Sequence, residues 1–129
     1  MLAVDTNILV RFVVKDDPRQ AEAARDLLAN ETTFISSTVL LETEWVLRSS
    51  YRFPKAGVLA ALKAICALPG TVLDEPERVR TAIDWADGGM DFADAIHIAG
   101  AADCNAFVTF DRSLAKSAFD EDAPPVRLL

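Results

Sequence analysis

The sequence is poor in the residues that build thiolate, redox and imidazole centres: it has one histidine, His97, and two cysteines, Cys66 and Cys104, in 129 residues. The cysteines lie far apart, with no C-x-x-C and no companion histidines. That excludes a zinc-finger or dithiol motif and leaves the expectation of buried free thiols. No stretch approaches the roughly 20 uninterrupted apolar residues of a membrane span, and Asp5 falls where a signal peptide needs a basic start. The expectation is a cytoplasmic protein with no membrane association. An excess of positive charge is lacking too: 13 Lys and Arg face 20 Asp and Glu, a net charge of -7. A broadly basic surface for holding polyanions is therefore excluded.

Hydrophobic residues make up 51% and charged residues 26%, the balance of a folded chain, and this length suits one domain over residues 1–129. There is no internal repeat, low-complexity tract or interdomain linker. Leu2 to Val4 reads as a short strand, and Asp5-Thr6-Asn7 hands over to a helix through Ile8 to Val14. Asp17 or Pro18 starts a surface helix over Arg19 to Ala29. Thr32 to Ile35 is a β-branched and aromatic strand, and Ser36, Ser37 or Thr38 caps a helix running to about Ser49. Pro54 opens a helix that stops near Pro69-Gly70, Thr71 to Leu73 is a strand, and Pro76 opens a helix ending at Asp87-Gly88-Gly89. A helix over Asp91 to Ala102, a strand over Ala106 to Thr109 and a last strand over Val126 to Leu128 complete the alternation. Strands alternating with helices imply an α/β domain with a mainly parallel sheet covered on both faces.

In open α/β sheets, ligands bind beyond the carboxyl ends of the strands. Asp5 and Asp111 each follow an apolar strand there, while Glu42 and Asp94 sit in the early turns of helices that begin at the same edge. Each has an ordinary alternative. Asp5 can cap the helix near Asn7, Asp111 can cap a turn at Arg112-Ser113, and Glu42, two residues from Glu44, can be a solvated side chain. Asp91 and Asp94 share one helical face, with Asp91 placed as the N-cap and kept as an outer acid. His97, three residues after Asp94, can either join it as a ligand or, the favoured reading, be a partly buried helix residue among Ile96, Ile98 and Ala99. Taken together the acids need another explanation, because like charges about 4 Å apart repel by roughly 4 kcal/mol at an effective dielectric near 20. A divalent cation reverses that sign, and an all-oxygen set without histidine points to magnesium or manganese rather than zinc. Bases such as Arg11, Lys15, Arg48, Arg52 and Lys55 would then line the rim, which reconciles an acidic chain with an anionic substrate.

With Val4-Asp5-Thr6-Asn7, Leu41-Glu42, Asp91-Phe92-Ala93-Asp94-Ala95 and Thr109-Phe110-Asp111 in this order, the sequence resembles the PIN-domain family, and within it the VapC-type ribonuclease toxins of toxin-antitoxin pairs. The resemblance spans nearly the whole chain. It implies a three-layer α/β/α domain acting as a magnesium-dependent endoribonuclease, with Asp5, Glu42, Asp94 and Asp111 holding the metal. Thr6, Asn7, Asp91 and Thr109 would be supporting groups. It also implies an RNA substrate, a homodimer, and a cognate antitoxin that lays a segment over the active site.

A partner needs apolar anchors, and Trp45, Tyr51, Phe53 and Trp85 are the aromatic candidates. Two other classes fit poorly. A receiver domain wants an acidic pair after its first strand and a lysine after its last core strand. A haloacid-dehalogenase-like phosphotransferase wants a second aspartate where this chain has Asn7. A PIN fold kept only as a catalytically silent binding module is the remaining alternative.

Overall fold

The structure is a computed structural model that describes residues 1–117 and 123–129. Strand β1 (Leu2–Ala3) runs into helix α1 (Thr6–Val14), followed by α2 (Pro18–Asn30), β2 (Thr33–Ile35), α3 (Ser37–Ser49), α4 (Lys55–Cys66) and β3 (Thr71–Leu73). Then come α5 (Pro76–Asp87), α6 (Phe92–Gly100), β4 (Phe107–Thr109), the single-turn α7 (Arg112–Ala115) and β5 (Val126–Leu128). This is the alternating α/β order expected from the sequence, and all strand pairs in it are parallel.

Local chemistry sets the helix ends. Asp17 accepts the Gln20 amide at the head of α2, with Pro18 in the first turn, where its missing N–H costs nothing. Ser36 accepts the Val39 amide at the head of α3. Gly89, at φ +116°, ends the connection between α5 and α6 in a backbone region that side chains rarely adopt. Gly70 is required by space, since a Cβ there would stand 2.6 Å from the Glu31 carbonyl oxygen, where the α2–β2 turn crosses the start of β3.

The expected central sheet is parallel, but among the described residues its hydrogen bonding falls into two pieces, β1-β2-β3 and β4-β5. Strand β1, at the end of the first piece, is two residues long. The amides of Leu2 and Val4 on either side of its middle are committed to the Thr32 and Phe34 carbonyls. The helices close over a continuous apolar core. Leu9 from α1, Ile35 from β2, Leu40 and Leu47 from α3, Leu62 and Ile65 from α4 and Ala95 from α6 are fully buried in it. Burial of such side chains, at roughly 1.5–3 kcal/mol each, is the main force that fixes which helix face turns inward. Helix α6 packs on α5 and α3, and α1 packs on α2 and α3, so the loops that follow the strands are supported from below.

Candidate metal-binding acidic edge

The register of the first sheet lines up one part of the site. Ala3 pairs with Phe34 and Ile35 with Leu73, so the residues just past the strands, Asp5, Ser36 and Asp74, follow one another across the same carboxyl edge. Asp5 is exposed and accepts the Ile8 amide at 3.2 Å. Its capping role is therefore real, and among the described residues the second carboxylate oxygen accepts no hydrogen bond. Asp5 and Asn7 line a cleft of about 600 Å³ with Arg11 and Gln20. Thr6 is buried. Asp74, which the sequence reading passed over, accepts the Ser37 amide at 2.9 Å and its hydroxyl at 2.6 Å, and so fixes the head of α3 from a neighbouring strand.

The other part of the site is built around Asp94 on α6. Asp91 caps that helix as expected, accepting the Asp94 amide at 3.2 Å. Partial burial pushes the Asp94 carboxyl up from its ordinary pKa, the negative charges of Asp91 and Asp111 push it further, and His97 pulls it partly back. Asp91 and Asp111 are thus both within electrostatic reach of Asp94, although Asp111 follows β4 and the other two stand at the head of α6. His97 is exposed rather than half-buried. At 100° per residue the apolar Ile98 and Ala99 turn inward while His97 turns to solvent, beside the acids.

Asp111 is held hard in place. One carboxylate oxygen accepts the Ser113 amide at 2.9 Å, the Ser113 hydroxyl at 2.7 Å and the Leu114 amide at 3.1 Å. The Ser113 hydroxyl and these amides hold its pKa below the usual carboxylate range. Its own amide donates to the Thr109 hydroxyl at 3.0 Å, which ties down the turn after β4. Asp94 and Asp111 are therefore shifted in opposite senses by their surroundings.

Glu42 lies in the second turn of α3 and is exposed. Among the described residues no hydrogen bond or charge interaction joins Asp5 or Glu42 to Asp94; the charges that act on Asp94 are those of Asp91, Asp111 and His97. The neighbouring Glu44, not singled out from the sequence, is only 7% exposed and accepts Arg48 Nε at 2.9 Å. The Arg48 pKa is raised by that hydrogen bond and charge, and further by Asp91. The signal was present in the spacing, since Leu40, Glu44 and Leu47 share a helix face. Lys55 also reaches the site's margin, donating to the Met90 carbonyl at 2.7 Å, next to Asp91.

Other rim expectations change. Arg11 is engaged by Asp16 at 2.7 Å, Gln20 at 2.8 Å and Tyr51 at 3.2 Å. Of the aromatic candidates, Trp45 is 55% exposed, Phe53 and Trp85 pack against the core, and Tyr51 joins that Arg11 network. Neither cysteine is fully buried. Cys66 is half-buried, with its thiol pKa pushed up by burial, and Cys104 is exposed.

The donors are all oxygen, in kind a set for a hard cation. Among the described residues no three histidine, cysteine, aspartate or glutamate side chains form a ready ligand group. Magnesium does not demand one, because it keeps several waters and is commonly held by one or two carboxylates. The repulsion concentrated on Asp94 is the second point of fit, since a cation there would relieve it.

A parallel α/β domain with aspartates at strand ends, facing a helix head that carries two more, defines a carboxylate-based domain suited to metal-assisted chemistry. The chain belongs to the PIN-domain family, whose model matches residues 2–120. PIN domains are commonly metal-dependent nucleases. No curated protein matches the chain. No helix among the described residues is long and apolar enough to cross a membrane.

Proposed function

We propose that this PIN domain is a magnesium-dependent endoribonuclease that acts as the toxin of a type II toxin-antitoxin pair. The observation that carries the catalytic part is the convergence of Asp91 and Asp111 on Asp94, an arrangement that costs stability and that a bound cation would repay. Asp94 and Asp111 would hold the ion directly, with Asp5 and Glu42 completing the set from β1 and α3. When bound, magnesium supplies positive charge to the scissile phosphate and an activated water; manganese can substitute.

The protein's own groups prepare that chemistry. Asp91 fixes the helix turn that presents Asp94 and adds negative charge that favours a cation there. Ser113 and Leu114 hold one oxygen of Asp111 and so orient the carboxylate. Thr109 stiffens the turn that carries it, and Thr6 and Asn7 are supporting groups at the head of α1. Lys55, held at the edge of the acids by the Met90 carbonyl, keeps further N–H donors for a phosphate. The toxin role rests on the motif order. It brings with it a cognate antitoxin, for which the exposed Trp45 is the first anchor to test, and a homodimer in the cytoplasm.

The test is cleavage of a mixed RNA pool by purified protein with and without magnesium or manganese, beside Asp5→Ala and Asp94→Asn. The expected result is metal-dependent internal cleavage lost in both variants. A folded, metal-supplied protein that cuts none of many RNAs would replace this reading with that of a silent binding module.

A further inference from the structure

The mechanism leaves one exposed aromatic without a role. Phe110 stands between Thr109 and Asp111 and is 78% exposed, an unusual cost for a ring with no core to join. Its backbone is not loose. The Asp111 amide is tied to the Thr109 hydroxyl at 3.0 Å, and the Leu129 amide donates to the Thr109 carbonyl at 2.9 Å, continuing the β4–β5 ladder past its last paired residues. Phe110 is thus presented on a rigid mount immediately beside a site aspartate.

Its surroundings share a chemistry. Val108 and Arg127 are register partners on β4 and β5, so their side chains leave the sheet on the same side, and both are exposed. Arg112 and Lys116, in and just after α7, are exposed as well. Among the described residues Arg112, Lys116 and Arg127 make no ion pair, as is also true of Lys15, Arg19, Arg52 and Lys55. In a chain of net charge -7, three exposed cations thus stand on α7, just after it and on β5, the elements packed against β4, which leads into the exposed ring next to the acidic edge. An aromatic face bordered by backbone-neutralising cations is the arrangement by which proteins grip unpaired nucleotides.

We infer that Phe110 is a stacking platform for one unpaired base of a single-stranded RNA, with Arg127, Arg112 and Lys116 along the adjoining phosphates. The inference rests on the nuclease reading and extends it: Phe110 sets which nucleotide lies next to the scissile bond. A duplex does not offer this face, because its bases are already stacked on one another.

The experiment measures binding of a single-stranded RNA carrying 2-aminopurine in EDTA, and steady-state cleavage of the same RNA in magnesium, for wild type, Phe110→Ala, Phe110→Trp and Arg127→Ala. Circular dichroism checks the fold and manganese titration the metal site. Loss of stacking in Phe110→Ala is expected to weaken binding and raise KM by about 5- to 100-fold. In that variant kcat and manganese affinity stay near wild type, 2-aminopurine quenching is lost and cleavage positions spread; Phe110→Trp restores all of these. Arg127→Ala lowers the salt slope of binding by about 0.7. If Phe110→Ala binds and cuts like wild type while Asp94→Asn is inert, the platform is wrong and the nuclease reading stands. If wild type cuts nothing but loses RNA binding and quenching on Phe110→Ala, the platform stands and the nuclease reading falls. No RNA binding by wild type overturns both. A change in mass by light scattering with RNA binding intact would make this face a protein interface and overturn the platform.

Discussion

The Asp91 carboxylate accepts the backbone amide of Asp94 at 3.2 Å and at the same time raises the pKa of the Asp94 side chain. One group thus carries two effects of opposite sign. The hydrogen bond stabilises the head of α6, because it satisfies an amide that no helical carbonyl can reach. The charge opposes ionisation of the acid it positions, and that opposition is what makes the pair attractive to a cation.

The two effects separate by substitution. Asp91→Ser keeps a capping oxygen and removes the charge, whereas Asp91→Ala removes both. Asp91→Ala is expected to lower stability by about 1 kcal/mol, or roughly 3–5 °C in Tm, with Asp91→Ser close to wild type. Both should weaken manganese binding in calorimetry. Equal Tm values in the two variants would show that the capping hydrogen bond contributes little.

Asp94→Asn is expected to raise Tm in EDTA at neutral pH and to abolish cleavage. The sign follows from linkage. A carboxyl whose folded pKa is raised favours the folded state below the unfolded value, near 3.9, and loses that contribution as pH rises through the folded value. The variant therefore gains most at neutral pH, and its advantage disappears near pH 3. Magnesium should raise the wild-type Tm and leave the variant nearly unmoved. A variant that is less stable in EDTA and still cuts RNA would remove Asp94 from the site.

Much of this arrangement is legible locally. Asp17, Ser36 and Asp91 cap helices because short acceptors there precede helix-forming runs, and Asp5 and Asp111 follow apolar strands. For those last two, capping and a place at the acidic edge coincide rather than compete, since a cap uses one oxygen of two. What depends on long-range packing is less legible. The break between the two sheet pieces, the link from Asp74 to Ser37 across a strand, and the exposure of Phe110 within an apolar run all depend on neighbours far away in sequence. Glu44 lies between these cases. Helix spacing puts it among leucines and supplies Arg48 one turn away, but only the fold buries Glu44 and so makes that pairing necessary.

Arg48→Ala tests that pairing, because it leaves Glu44 buried without its cation. The expected cost is about 1–3 kcal/mol, since Arg48 is itself half-exposed and water can partly replace it. Glu44→Gln in the same background should recover part of the loss by removing the uncompensated charge. Thermal unfolding of the two single variants and the double variant decides this. Additive losses would mean that Glu44 and Arg48 do not stabilise one another.

The last expectation concerns acid stability and a network outside the acidic edge. Asp16 accepts the Tyr51 hydroxyl at 3.0 Å and Arg11 at 2.7 Å, and so joins the loop after α1 to the segment after α3. The Tyr51 hydroxyl is the largest influence holding the Asp16 pKa below its ordinary value, with Arg11 adding to it. A carboxyl with a lowered folded pKa contributes stability above the unfolded value, near 3.9, and that contribution is lost as pH falls through the folded value. Asp16→Asn should therefore unfold at a lower temperature than wild type at neutral pH and converge with it near pH 2–3. Tyr51→Phe should show the same trend with a smaller gap, because Arg11 still faces Asp16. Both variants should cleave RNA at the wild-type level at neutral pH, since these residues hold the frame. A gap between Asp16→Asn and wild type that persists unchanged to pH 2 would mean that the carboxylate acts through packing rather than through its charge.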